Sequence, residues 1–255
     1  MVRDCRMRDY GMRDCLACAI VVAFTTATVS YAGAEPRAVI ELFTSQGCSS
    51  CPPADKLLSQ FTADPSLIPI SLPIDYWDYL GWKDTLADPR NSARQRAYSR
   101  VRGDRDVYTP QVVVNGTLHA LGSDKDAIEA AIASSRKSGT TLSLPVTMTI
   151  ADGRLLVSVP GGGEGHSLAE VWLCGLLKAA TVAIGRGENR GKTITYHNVA
   201  RHWVKLGNWS GQGETWNVPL QEFGDEGIDE AAVVVQAGTI DKPSAVYGAA
   251  LSTIH

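Results

Sequence analysis

Residues 38–61 read Ala38-Val39-Ile40-Glu41-Leu42-Phe43, Thr44-Ser45-Gln46-Gly47-Cys48-Ser49-Ser50-Cys51, and Pro52-Pro53-Ala54-Asp55-Lys56-Leu57-Leu58-Ser59-Gln60-Phe61. The first run is short, apolar and β-branched, and it ends at Thr44, Ser45 and Gly47, so it reads as a buried strand. The last run places Ala54, Leu57, Leu58 and Phe61 on one helical face. Pro52 and Pro53 suit a first helical turn, where a missing N–H costs nothing. The stretch is strand, Cys-x-x-Cys, helix, and that context turns a common spacing into a redox motif.

The chemistry depends on that placement. A helix N-terminus carries partial positive charge and free N–H groups. A thiolate at Cys48, just ahead of the helix, is stabilised there and its pKa lowered. Cys51, one turn on and more buried, resolves a mixed disulfide formed at Cys48. Two other readings stay open. One is a structural disulfide. The other is a metal site, for which four-coordinate zinc needs two further ligands; beyond the N-terminal segment the chain offers Cys174 and scattered histidines, with no second pair at suitable spacing.

The chain has 255 residues, a net charge of −3 and a pI near 6.0. That length suits two modest domains, and the charge gives no bulk attraction for nucleic acid. Of the six cysteines, Cys5, Cys15 and Cys18 lie near the N-terminus. There Arg3, Arg6, Arg8 and Arg13 precede the apolar stretch Leu16 to Val29, and Ala32-Gly33-Ala34 supplies an A-x-A cleavage pattern. Residues 1–34 are therefore expected to be a secretory signal peptide, and the only membrane contact is expected through it. The remaining Cys48, Cys51 and Cys174 then lie in a disulfide-permissive compartment, secreted or periplasmic. Cys174, in an apolar run, reads as a buried small hydrophobe.

After the motif helix, Leu67 to Ile74 is strand-like despite Pro69 and Pro73, so its ladder is expected to be irregular or its edge open at those positions. Then comes Asp75-Tyr76-Trp77-Asp78-Tyr79-Leu80-Gly81-Trp82-Lys83-Asp84, with four aromatics in one short loop. In a parallel strand–helix architecture such loops line the functional edge. Asp75, Tyr76, Trp77, Asp78 and Trp82 are the candidate substrate-binding residues; the other reading is aromatic packing between domains. Asp88-Pro89 caps a helix that stops at Gly103. Its Arg90, Arg94, Arg96, Arg100 and Arg102 are expected to form a solvated basic face, or a field that helps ionise Cys48. Two β runs then flank Asn115-Gly116, a strong hairpin signal, and a helix follows to about Gly139.

That order resembles the thioredoxin fold. Cys48 and Cys51 match its Cys-x-x-Cys, Thr109-Pro110 matches its Thr–cis-Pro, and Asn115-Gly116 matches its hairpin turn. The resemblance implies that Thr109 and Pro110 lie across from the reactive cysteine and present backbone to an extended substrate. This sequence departs from that pattern at Ser49-Ser50, at the two prolines after Cys51, and in the length of the Cys51–Pro110 segment. A narrower resemblance covers the chain beyond residue 34. Glu41 to Asp55, Asp75-Tyr76-Trp77-Asp78, Gly81 to Asp84, Arg94 to Tyr98, Tyr108 to Gln111, Ile184 to Lys192 and Tyr196 to Val199 are similar to the secreted domain-of-unknown-function family 1223. It implies a thioredoxin-like domain plus a second domain and supplies no reaction.

From about Thr140 no helical period appears. Leu142 to Ile150 and Arg154 to Val159 alternate around Asp152-Gly153, and runs follow at 169–177, 193–206, 215–220, 231–237 and 245–252. The expected fold class is a thioredoxin-like α/β domain at 35–139 followed by an all-β antiparallel sandwich-like domain at 140–255. Gly185-Arg186-Gly187-Glu188-Asn189-Arg190-Gly191-Lys192 lacks the Gly-Lys-Ser/Thr ending of a P-loop and reads as an ion-paired turn. Glu188, Arg190 and His197 alternatively form an acid–base set or a peptide-binding edge. The expected function is thiol–disulfide exchange by an exported oxidoreductase, with Cys48, Cys51, Thr109 and Pro110 at the catalytic centre. No cofactor is expected. The expected partners are extracytoplasmic protein thiols or disulfides and a redox protein that recycles the pair. The alternatives are a binding module with a structural disulfide, or a carrier of a soft metal ion.

Overall fold

The computed structural model describes residues 36–223 and 227–254. The expected signal peptide and its three cysteines lie outside them. In chain order the elements are β1 (Ala38–Thr44), α1 (Pro52–Phe61), β2 (Leu67–Pro73), α2 (Pro89–Arg102), β3 (Gln111–Val114), β4 (Leu118–Leu121), α3 (Lys125–Ser135), β5 (Thr147–Ala151), β6 (Arg154–Val159), β7 (Ala169–Ala183), β8 (Thr193–Trp209), β9 (Glu214–Pro219), β10 (Glu230–Thr239) and β11 (Lys242–Thr253). Among the described residues no helix is long and apolar enough to cross a membrane.

The expected fold class is not what forms. Strand dominates, and a mixed sheet of eight strands in the order β11-β10-β7-β8-β2-β1-β3-β4 runs through both halves of the chain. The strands after residue 140 do not close into a sandwich of their own. Four of them extend the sheet begun by β1, and only β5, β6 and β9 form a separate three-stranded sheet. The join is β2 to β8, parallel and registered only at Ser71 opposite Val199. The flanking prolines limit that ladder, because neither has an N–H to give. Their carbonyls are taken up by side-chain amides: Asn198 Nδ2 donates to Pro69 O at 3.0 Å and Asn91 Nδ2 to Pro73 O at 2.9 Å.

β1 is buried on both faces, as a central strand with an unbroken apolar run must be. Ala38, Ile40 and Leu42 meet α1 and α3 in one core; Val39 and Phe43 meet β2, α2 and the later strands in another. A third core lies between the small sheet and β7, β8, β10 and β11, around Trp209, Leu155 and Val171. Two turns follow the sequence closely. Asn115 and Gly116 both take left-handed φ, as do Asp152 and Gly153. A Cβ at Gly116 would stand 2.2 Å from Ser244 O, so this turn must be glycine to dock on β11.

α2 departs from expectation. Its buried face is polar: Asn91, Ser92, Arg94, Gln95 and Ser99, beside Ala97 and Tyr98. Arg94 is not on a solvated face. Its Nε donates to Glu41 Oε1 at 2.6 Å, and its Nη2 donates to Tyr98 Oη at 2.7 Å and Gln236 Oε1 at 2.9 Å. The guanidinium also lies 5.1 Å from the Trp203 ring centroid. One buried cation thus ties β1, α2 and β10 together across residues far apart in sequence. Arg90, Arg96 and Arg100 are exposed.

Candidate functional site

β1 ends at Thr44, and the chain turns through Ser45 to Ser50 into α1. Cys51 is the N-cap, followed by Pro52 and Pro53. Cys48 and Cys51 are joined in a disulfide with a Cα–Cα distance of 5.4 Å. Cys174, the remaining described cysteine, is free and buried, and burial pushes its thiol well up. Cys48 is 1% exposed and Cys51 0%, so the expected difference in burial between them is absent, while Ser49 and Ser50 between the cysteines are exposed.

Asp55 lies one turn after Cys51 on the same helix face, its amide donating to Cys51 O at 3.1 Å. It is buried. Thr44 Oγ1 donates to its Oδ1 at 2.7 Å, and its Oδ2 has no hydrogen-bond partner among the described residues. Burial raises its pKa to about 7, against the Thr44 hydrogen bond, and the charge on Asp84 adds to the rise. Burial also raises Asp84 and the Tyr196 phenol, whose hydroxyl likewise has no partner among the described residues. Asp55, one turn from Cys51, thus shares its electrostatic surroundings with a second buried carboxyl and a buried phenol. In the sequence Asp55 is marked only by its i+4 spacing from Cys51.

The aromatic loop packs on the Cys-x-x-Cys turn. Gln46 is the hinge between them: its N–H donates to Asp84 Oδ2 at 2.7 Å, and its Oε1 accepts from Trp82 Nε1 at 2.8 Å. A Cβ at Gly47 would stand 3.0 Å from Trp77 Cβ, so glycine is what lets the loop close on the turn. Trp77 Nε1 donates to Thr109 Oγ1 at 2.7 Å. The Thr109–Pro110 bond is cis. Pro110 lies against the same space as Leu42 and Ala54, since a Cβ on Gly122 would come within 3.1 Å of all three. Tyr76 Oη donates to Gln95 Oε1 at 3.1 Å. Asp75 accepts from Ser92 Oγ, and Asp78 Oδ1 accepts from the Asp84 amide at 3.0 Å. Both acids therefore order the loop. Tyr76, Trp77 and Trp82 are half-buried; Tyr79, stacked on Trp77 at 6.3 Å, is 77% exposed.

The third wall comes from far along the chain. β7 and β8 form a long hairpin whose tip, residues 184–192, lies on the Cys-x-x-Cys turn. Asn189 is fully buried there, and its Nδ2 donates to Gln46 O at 3.0 Å and to Cys48 O at 2.7 Å. Glu188 Oε2 accepts from the Ser49 amide at 3.2 Å. The tip is more than an ion-paired turn, and Asn189 went unread in the sequence because an asparagine in a charged loop carries no pattern. His197 lies further down β8, opposite Ala179. Among the described residues a group of potential metal ligands occurs elsewhere, at Asp104, Asp106 and His119. Asp104 is already paired with Arg102 and His119.

The model of the family described as "Protein of unknown function (DUF1223)" matches residues 39–236. The chain belongs to this family. The match spans all three walls of the site, from β1 to β10. Among solved structures, the crystal structure of the Agrobacterium tumefaciens protein AGR_C_4864 is similar at 32% identity and a TM-score of 0.76, over 85% of this chain and 93% of that one. HBP35 of Porphyromonas gingivalis is 11% identical with a TM-score of 0.57, over 86% of this chain and 75% of that one, a likeness of fold. Neither is described as a thioredoxin. No curated protein matches the chain.

Proposed function

We propose that Cys48–Cys51 is a redox-active pair that exchanges with thiols or disulfides of an extracytoplasmic protein. The observation that supports this most is Asp55, a buried carboxyl one turn from Cys51 with a pKa near neutrality and one oxygen unpartnered. A disulfide that only braces a turn has no use for a buried acid beside it, which costs stability when ionised.

In the proposed step a partner thiolate attacks Cys48 Sγ. A partner–Cys48 disulfide forms, the Cys48–Cys51 bond breaks, and the electron pair leaves on Cys51 sulfur, which takes a proton from Asp55. A second thiolate of the partner then attacks the partner sulfur of the mixed disulfide and releases Cys48 as thiolate. The partner dithiol becomes a disulfide, and the pair is left as a Cys51 thiol and a Cys48 thiolate, which with the Asp55 carboxylate regains protons from solvent; the reverse order reduces a partner disulfide. The electrons come from the partner alone, and a second redox protein restores the pair. Tyr76, Trp77 and Trp82, with exposed Tyr79, form the rim on which the partner docks, and Asp75 and Asp78 hold that rim in shape. The charged start and apolar run of residues 1–34 favour an exported, periplasmic or secreted protein.

Burial of both sulfurs favours a second reading, in which the disulfide is structural and the rim belongs to a binding module. Substitution separates them. Cys51→Ser should accumulate mixed disulfides through Cys48 in cells, and Cys48→Ser should not. Equal, near-zero capture by both variants contradicts the exchange reading.

A further inference from the structure

We infer that the hairpin tip at residues 184–192 is a latch over the disulfide, and that Asn189 is the positioning residue that holds it shut. The inference rests on the exchange reading above and says how a partner reaches the pair. An attacking thiolate must approach Cys48 Sγ along the line of the S–S bond, and Cys48 is 1% exposed. Something has to move.

The neighbours are not equally free to do so. β1 and α1 are built into a core and carry the cysteines themselves. The tip is different. Beyond the last paired residues of the strand ladder, Ala183 and Thr193, the base of the tip is fixed by buried Ile184 and its backbone bonds to Gly191 and Lys192, and residues 185–190 are held by one short turn and a few contacts to the site. Asn189 supplies the chief polar ones: both donors of its amide are spent on Gln46 O and Cys48 O, and its Oδ1 accepts from Lys192 Nζ at 2.8 Å. Glu188 adds an exposed contact to the Ser49 amide. Trp82 completes the closure. A Cβ at Gly185 would stand 3.1 Å from its Cζ3 and one at Gly187 3.4 Å from its Cβ, so the glycines let the tip lie flat on the ring that also donates to Gln46. Releasing the tip frees the Gln46 carbonyl and the Ser49 N–H and leaves the Cys48 carbonyl with only its Cys51 amide donor, a polar edge beside Cys48 that a partner's backbone can bind in turn.

The test is the kinetics of reduction of the oxidised full chain by dithiothreitol, followed by quenching and thiol alkylation. In the wild type the rate should level off as dithiothreitol rises, because opening becomes limiting. Asn189→Ala, checked to be folded, should react roughly tenfold faster or more at low dithiothreitol, the effect of losing a buried pair of hydrogen bonds from the closed state. Hydrogen exchange should rise in residues 184–192 and stay unchanged in β1. Trp82→Phe, which keeps the ring packing and loses the donor to Gln46, should shift the rate in the same direction by a smaller factor and serves if Asn189→Ala does not fold. A wild-type rate that is linear in dithiothreitol and equal to that of both variants overturns the latch and leaves the exchange reading standing. A folded protein whose pair stays unreduced in wild type and both variants overturns the two together.

Discussion

Replacing Asp55 by Asn tests the chemistry assigned to the buried carboxyl. In the folded chain its pKa is raised from 3.8 to about 7, first by burial. The folded carboxyl therefore keeps its proton through a range in which the unfolded one has lost it. Between those two values unfolding releases a proton, so raising the pH favours unfolding and the group's ionisation costs stability. Integrated from pH 5 to pH 8, the loss is roughly 2–3 kcal/mol. Asparagine keeps an acceptor for Thr44 Oγ1 and removes the charge. Its amide N–H2, set where Oδ2 has no partner, adds a destabilisation of about 1–3 kcal/mol that does not depend on pH. The decisive quantity is therefore the wild-type minus variant difference, measured by urea unfolding of the oxidised proteins at the two pH values. The variant should gain on the wild type by roughly 2–3 kcal/mol between pH 5 and pH 8. A difference that is flat across that range, or that moves the other way, refutes the account of Asp55 as a near-neutral buried acid.

Two further outcomes follow from the packing. Arg94→Met leaves Glu41 buried without its cation and should destabilise by about 3–5 kcal/mol, whereas Arg94→Met with Glu41→Gln should recover part of the loss; thermal unfolding of both variants checks it, at about 2–4 °C per kcal/mol. Tyr76→Ala with Trp77→Ala, made in the Cys51→Ser protein, should cut the yield of trapped partner per folded molecule, since one aromatic anchor at such a rim is worth about 2 kcal/mol or more; an unchanged yield with a lowered melting temperature makes the loop packing rather than a docking rim.

Much of the local structure was legible and the way it assembles was not. Alternation in Arg154 to Val159 and the apolar run at 231–237 say which side chains are buried, and both segments are strands. Neither pattern says which strand lies alongside. The choice between a separate sandwich and an extension of the first sheet rests on a single register pair, Ser71 with Val199, that leaves no mark in either segment. α2 was readable as a helix from Asp88-Pro89, yet its buried face escaped because hydrophobic periodicity is blind to a face made of Asn91, Ser92, Arg94 and Gln95. At the site, Cys48, Cys51 and the aromatic loop announce themselves by residue type. Asn189 does not, because its contact to Cys48 spans 141 positions. The one sequence-level trace of it was that residues 184–192 resemble the same family as the Cys-x-x-Cys segment.

The central claim is that the Cys48–Cys51 disulfide is there to be exchanged. Its reduction potential, measured by equilibrating the folded full chain with thiol–disulfide buffers, tests that most directly. The account predicts reversible two-electron reduction, without unfolding, at a potential above about −300 mV. A potential below about −300 mV, or reduction only as the protein unfolds, would make the disulfide a structural brace and contradict the claim.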